Sequence, residues 1–139
     1  MEIDLALLAD AATIDAAGKL NILGVFDRLE VQGFPIQHPR ISLVLRFQGG
    51  LADVGAHDVR LTLRGPKAEE VFTINGQLNV GPGSPEIGGI VRLPHIINLD
   101  GLVFKSAGSY TFDVFMDGRP LVSVPLLVAL GGRARAAQA

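Results

Sequence analysis

The chain has 139 residues, 48% of them hydrophobic and 19% charged, a balance that excludes a disordered polypeptide and fits one compact domain. A net charge of −2, a single tyrosine and no tryptophan exclude a surface built to track a phosphate backbone or stack bases, so no nucleic-acid partner is expected. Without cysteine there is no disulfide framework, thiolate metal site or cysteine nucleophile.

Seventeen glycines and eight prolines spread between apolar runs are the punctuation that many short strands require. The first segment, Ile3 to Ile14, is rich in alanine and leucine, which on propensity alone would favour a helix. Asp15-Ala16-Ala17-Gly18 then turns the chain into Lys19 to Phe26, and that arrangement reads as a hairpin, so the segment is taken as a strand. Gly33-Phe34-Pro35-Ile36-Gln37-His38-Pro39 reads as a loop, since its prolines oppose a helix.

Arg40 to Gln48 alternates, with Ile41, Leu43, Leu45 and Phe47 on one face; Val59, Leu61 and Leu63 do the same after a glycine-bearing connection. Gly65-Pro66 turns the chain, and Phe72, Ile74, Leu78 and Val80 form another inward set in which Gly76 marks a bulge or a close approach. Residues 81–89 read as a flexible loop. Ile90 to Leu99 follows as a strand that Pro94 confines to an edge or a bulge.

The last hairpin is the most explicit part of the chain. Gly108-Ser109-Tyr110 has the form of a tyrosine corner, and Asp117-Gly118 is a tight-turn signature between two alternating runs. Tyr110, Phe112, Val114 and Met116 share one face, as do Val122, Val124, Leu126 and Val128, so even positions must oppose even positions. A three-residue loop, Met116-Asp117-Gly118, satisfies that parity by pairing Phe115 with Arg119. The whole reads as an all-β, antiparallel, immunoglobulin-like sandwich of about eight strands, with a domain over residues 1–130 and a flexible tail over 131–139.

Ala9-Asp10-Ala11, the run Gly18-Lys19-Leu20-Asn21-Ile22-Leu23-Gly24-Val25-Phe26-Asp27 and Gly108-Ser109-Tyr110-Thr111-Phe112 through Asp117-Gly118 resemble a family of small bacterial β-sandwich proteins of unknown function. The resemblance spans Leu5 to about Val128 and implies the fold. That family has no assigned catalytic or binding residues, so it implies none here.

Candidate chemistry is sparse. Gly18-Lys19 lacks both the upstream glycine and the following Ser or Thr of a phosphate loop, which leaves a hairpin turn. His38, His57 and His95 show no metal-ligand spacing; His38 and His57 are expected in solvent, and His95 half-buried and hydrogen-bonded. Asp10, Asp15, Asp27, Asp100 and Asp117 sit near expected strand ends and suit turns, with an end-loop calcium site left open. Ser84 lacks a nucleophile elbow, and Glu69 and Glu70 would point to opposite faces of a strand. Arg46, Arg60 and Arg64 are expected outside on neighbouring strands, with Arg46 near Asp58.

Nothing here proposes a reaction, so no enzyme, cofactor or metal is expected. The acids of Met1-Glu2-Ile3-Asp4 do not suit a secretory signal, and the apolar run Leu121 to Leu130 is broken by Pro125 at about half a bilayer span. A cytoplasmic protein away from membranes is expected. The functional expectation is a binding or assembly module acting through a sheet face or edge, by protein contact or self-association. Phe115, Leu121 and Leu127, on the outer side of the last hairpin, are its candidate interface unless the run Leu5 to Leu8 covers them. Tyr110, Gly108, Asp117 and Gly118 are its structural residues. The alternative is a small-ligand or ion-binding sandwich using end loops 81–89 and 98–101.

Overall fold

Alternating runs become nine strands in the computed structural model, which describes residues 1–82 and 89–131. They are β1 (Glu2–Ile14), β2 (Leu20–Phe26), β3 (Arg28–Val31), β4 (Ile36–Gly49), β5 (Gly55–Arg64), β6 (Glu70–Val80), β7 (Val91–Phe104), β8 (Gly108–Met116) and β9 (Arg119–Leu130). A short 3-10 turn, Leu51–Asp53, joins β4 to β5. Sheet I has the order β2-β1-β4-β7 and sheet II the order β3-β9-β8-β5-β6.

The sheets face each other across one apolar core. Ile41, Leu43, Leu45 and Phe47 of β4, with Leu8 of β1, meet Leu61, Leu63, Phe112, Val114 and Leu126 of sheet II. This interdigitation of two inner faces is what a sandwich requires. The strands from Glu2 to Leu130 therefore form an all-β sandwich, and beyond Gly131 the expected flexible tail lies outside the described residues, as does most of the loop 81–89, Ser84 included.

β1 is a strand despite its helical propensity, because it pairs with β2 on one side and β4 on the other. Tertiary pairing overrides propensity here. Asp15 closes the β1–β2 turn: its carboxylate accepts the N–H groups of Ala17 and Lys19, both at 2.9 Å. β2 then continues almost directly into β3, carrying the chain from sheet I to sheet II.

Five expectations need correction. β3 was not foreseen, and it pairs parallel to β9, so sheet II is mixed rather than antiparallel. The loop expected up to Pro39 ends at Pro35, where β4 begins with Ile36, and the end loop expected at 98–101 lies inside β7. Facing reverses at Pro39 and Gly101 (φ +68), which carry the irregularity jointly and let Ile36, Leu102 and Phe104 reach the core. β4 and β5 are not neighbours, since the 3-10 turn carries the chain across to the other sheet.

The fifth correction concerns the last turn. Met116 pairs with Arg119, so the loop is the two residues Asp117 and Gly118, with φ of 50° and 80°. Both are left-handed, as a type I′ hairpin demands. Parity is restored one step later: Phe115 pairs with Pro120 and Val114 with Val122, which leaves Leu121 as the extra residue of a bulge.

Candidate functional site

Register sorts each residue of sheet I onto one of two faces. The face away from the core is apolar as well. Leu7, Val44 and Ile96 form one cross-strand row; Val25, Ala9 and Ser42 form the next, and Leu23 follows opposite Ala11. Val44 and Ala9 are 0% exposed, while Leu23 and Val25 stand 71% and 62% exposed. Among the described residues, no strand lies over this face. Strand spacing makes the apolar area about 20 Å by 20 Å, on the order of 400 Å².

Ion pairs frame the area at both ends. At one end the Arg40 guanidinium donates to both carboxylate oxygens of Asp100, at 2.5 and 3.1 Å. At the other, Asp4 accepts from Arg46 at 2.8 Å and lies 3.7 Å from Arg92. The Arg46 hydrogen bond holds the Asp4 carboxyl below the usual carboxylate range, and Arg40 does the same for Asp100. The rim thus carries fixed charges of both signs. Arg46 is on sheet I and paired with Asp4, not with Asp58 as expected.

The outer face of sheet II is polar by contrast. Arg64 grips Asp113 with Nε and Nη2, and Ser123 Oγ donates to the same carboxylate at 2.6 Å. Arg64 accordingly draws the Asp113 carboxyl downward. Phe115 sits beneath Arg60, whose guanidinium carbon is 4.3 Å from the ring centroid. Leu127 lies at the far end of the hairpin, opposite Ser109, and Leu121, the bulge residue, packs against the core. Phe115, Leu121 and Leu127 are therefore not one patch. β1 does not cover Phe115 or Leu127 either, because it belongs to the other sheet.

Structural residues of the hairpin are placed more simply. Tyr110 is 3% exposed, and its hydroxyl donates to the Ser106 carbonyl at 2.7 Å. Its ring meets Phe104 edge-on at 5.0 Å. Gly108 has φ +144, and a Cβ there would lie 2.6 Å from Pro66 Cγ, so the close approach needs glycine.

His57 is held rather than solvated. Nδ1 is 2.7 Å from Asp117 Oδ2 and Nε2 is 2.6 Å from the Asp53 carbonyl. Asp117 also accepts the Asp58 N–H at 2.9 Å, and Asp53 accepts the amino group of Met1 at 3.0 Å. Asp117 and Asp100 are thus committed to protein partners, and among the described residues no group of three His, Asp or Glu is arranged to hold a metal ion.

The two sheets do not close at the seam between β6 and β7, which are edge strands of opposite sheets. Two clefts open there. One, of about 250 Å³, is lined by Phe47, Val59, Ile74, Gly76, His95 and Ile97. The other, of about 400 Å³, lies toward the tyrosine corner, between Phe72, Leu102, Val103 and Tyr110.

The sheet I face was missed in the sequence, but a signal exists. Leu5-Ala6-Leu7-Leu8-Ala9 and Leu43-Val44-Leu45 are unbroken apolar runs, where a strand wetted on one side should alternate.

Fold and surfaces together define a small β-sandwich with one apolar and one polar outer face. The chain belongs to a family of unknown function (DUF6941), which matches residues 4–129. No curated protein matches it. Among the described residues, no helix is long and apolar enough to cross a membrane.

Proposed function

We propose that the chain is a non-enzymatic assembly module that pairs with a second copy of itself through the outer face of sheet I. The observation that carries this reading is the exposure of Leu23 and Val25 beside Leu7, Val44 and Ile96 on a sheet already buried on its other side. An apolar patch on the order of 400 Å², rimmed by polar groups, is the size and form of an interface core. A standard interface buries roughly 800 Å² per partner, so the pairing requires the rim to contribute about as much area as the patch.

The rim favours a second copy over other occupants. A single-signed rim would call for an oppositely charged partner or an anionic membrane; a rim of both signs is compatible with itself under two-fold pairing, which buries the same patch twice. We read the protein as cytoplasmic; without cysteine its fold does not depend on an oxidising compartment.

Topology supports a binding role of immunoglobulin-like type. If β4, β5, β6, β7, β8 and β9 are taken as strands B, C, C′, E, F and G, sheet II carries the G-F-C-C′ order, and Tyr110 opens strand F at the E–F corner. β1 then stands as an additional strand between β2 and strand B.

Sedimentation velocity of wild type and of the double variant Leu23→Lys, Val25→Lys tests the proposal. Both side chains are exposed, so their replacement leaves the fold intact. The wild type should sediment as a dimer at micromolar concentration and the variant as a monomer with an unchanged melting temperature. A wild type that stays monomeric at high micromolar concentration would overturn it.

A further inference from the structure

We infer that the cleft between the β6 and β7 edges is a binding site for a small, slender apolar molecule bearing one hydrogen-bonding group, which the His95 imidazole receives. The site is built by residues whose facing is inward but which find nothing to pack against. Ile74 lies opposite Leu61 in register and so faces the core, yet it is 43% exposed. Gly76 lies opposite Val59 on the same face, and a Cβ placed on it would meet no described atom within 4 Å. An inward-facing position with neither a side chain nor a neighbour, on the exposed edge strand β6, leaves the cleft open between the sheets.

His95 supplies the polar end. It pairs with Leu45 in register and therefore points between the sheets, where its ring lies edge-on to Phe47 at 6.4 Å. Among the described residues, it has no hydrogen-bond partner. Burial pushes its pKa down, so at neutral pH it is an uncharged imidazole with one N–H donor and one nitrogen acceptor. A neutral imidazole among Phe47, Val59, Ile74 and Ile97 suits a hydroxyl or carbonyl group on an apolar body. It does not suit a free ion. A cavity of about 150 Å³ takes benzene, so the cleft volume of about 250 Å³ takes a bicyclic ring or a chain of similar bulk.

Fluorescence titration with 1-naphthol, and with naphthalene as the analogue lacking the hydroxyl, tests the inference on the full chain. Saturable binding of one 1-naphthol per chain is expected, about fivefold tighter than naphthalene, the worth of one neutral hydrogen bond. His95→Phe should abolish that preference while keeping naphthalene binding. Gly76→Leu, which fills the gap, should weaken both probes roughly tenfold; Gly76→Val, a smaller filler suited to a strand, should weaken them less and serves if the leucine variant does not fold. The variant Leu23→Lys, Val25→Lys should bind as wild type does, which separates this site from the sheet I face. Binding that both Gly76 variants leave unchanged, binding lost only with Leu23 and Val25, or no saturable binding at all would each overturn the inference.

Discussion

His57 lies between two groups that can only accept hydrogen bonds, the Asp117 carboxylate and the Asp53 carbonyl, so both of its nitrogens must carry protons. The imidazolium is the form that fits, and the bond to Asp117 foremost raises the pKa above the ordinary 6.5. A raised folded-state value means that the contribution to stability is complete below the unfolded value and is lost as pH rises through the folded one. Asp117 is lowered in turn by His57, so its share appears above the usual carboxylate range and fades as pH falls through its folded value. His95 acts in the opposite sense to His57: its pKa is lowered by burial, so it penalises the fold as pH drops below about 6.5. The stability gap between wild type and His57→Asn should therefore be wide at mildly acidic pH and narrow at alkaline pH, as read by urea midpoints. A gap independent of pH would contradict the imidazolium assignment. Tyr110 offers a second test at this scale. Phenylalanine there removes the hydroxyl bond to Ser106 and leaves the carbonyl on an exposed turn residue, a loss of about 1 kcal/mol. An unchanged melting temperature would mean that the corner bond contributes nothing.

Within the elements, the extra residue of the last hairpin shows what sequence reasoning reaches and where it stops. Even-to-even parity between β8 and β9 follows from the apolar pattern alone, and the strands do pair Phe112 with Val124 and Val114 with Val122. Where the odd residue goes is decided by turn chemistry. Asp117 tolerates a left-handed φ, so a two-residue turn forms and Leu121 becomes the bulge, which drives Leu121 inward and splits the patch expected with Phe115 and Leu127. β3 was invisible for a different reason: four residues, Arg28-Leu29-Glu30-Val31, are too few to show a period. Two glycines in edge strands separate strain from freedom. Gly24 has φ +71, and a Cβ there would collide with the Asp10 carboxyl, whereas Gly76 has an ordinary φ and open space. Gly24→Ala should cost about 1–2 kcal/mol, and Gly76→Ala should be neutral or stabilising by about 0.4–1 kcal/mol. Equal effects in equilibrium denaturation would show that the local geometry of β2 is not as described.

At the scale of the whole molecule, the two sheets differ in what they present outward. Sheet II shows Arg60, Thr62 and Arg64, while sheet I shows Leu7, Leu23 and Val25 around the covered Val44. The sandwich class was legible because alternation, glycine spacing and the Asp117-Gly118 turn all agree. The site was not, because face assignment requires knowing which strands are neighbours, and Arg46 and Arg60 look adjacent in the chain while lying on opposite outer surfaces. A sheet buried on one face and apolar on the other is the feature on which the proposed pairing rests. The measurement that bears on this most directly is methyl NMR with a soluble paramagnetic probe, comparing Leu23 and Val25 at low and at high micromolar protein concentration. Pairing through sheet I predicts that their methyl groups are reached by the probe on dilution and protected when concentrated, with Ile74 and Leu127 unchanged throughout. Leu23 and Val25 methyl groups equally accessible at both concentrations would contradict the account.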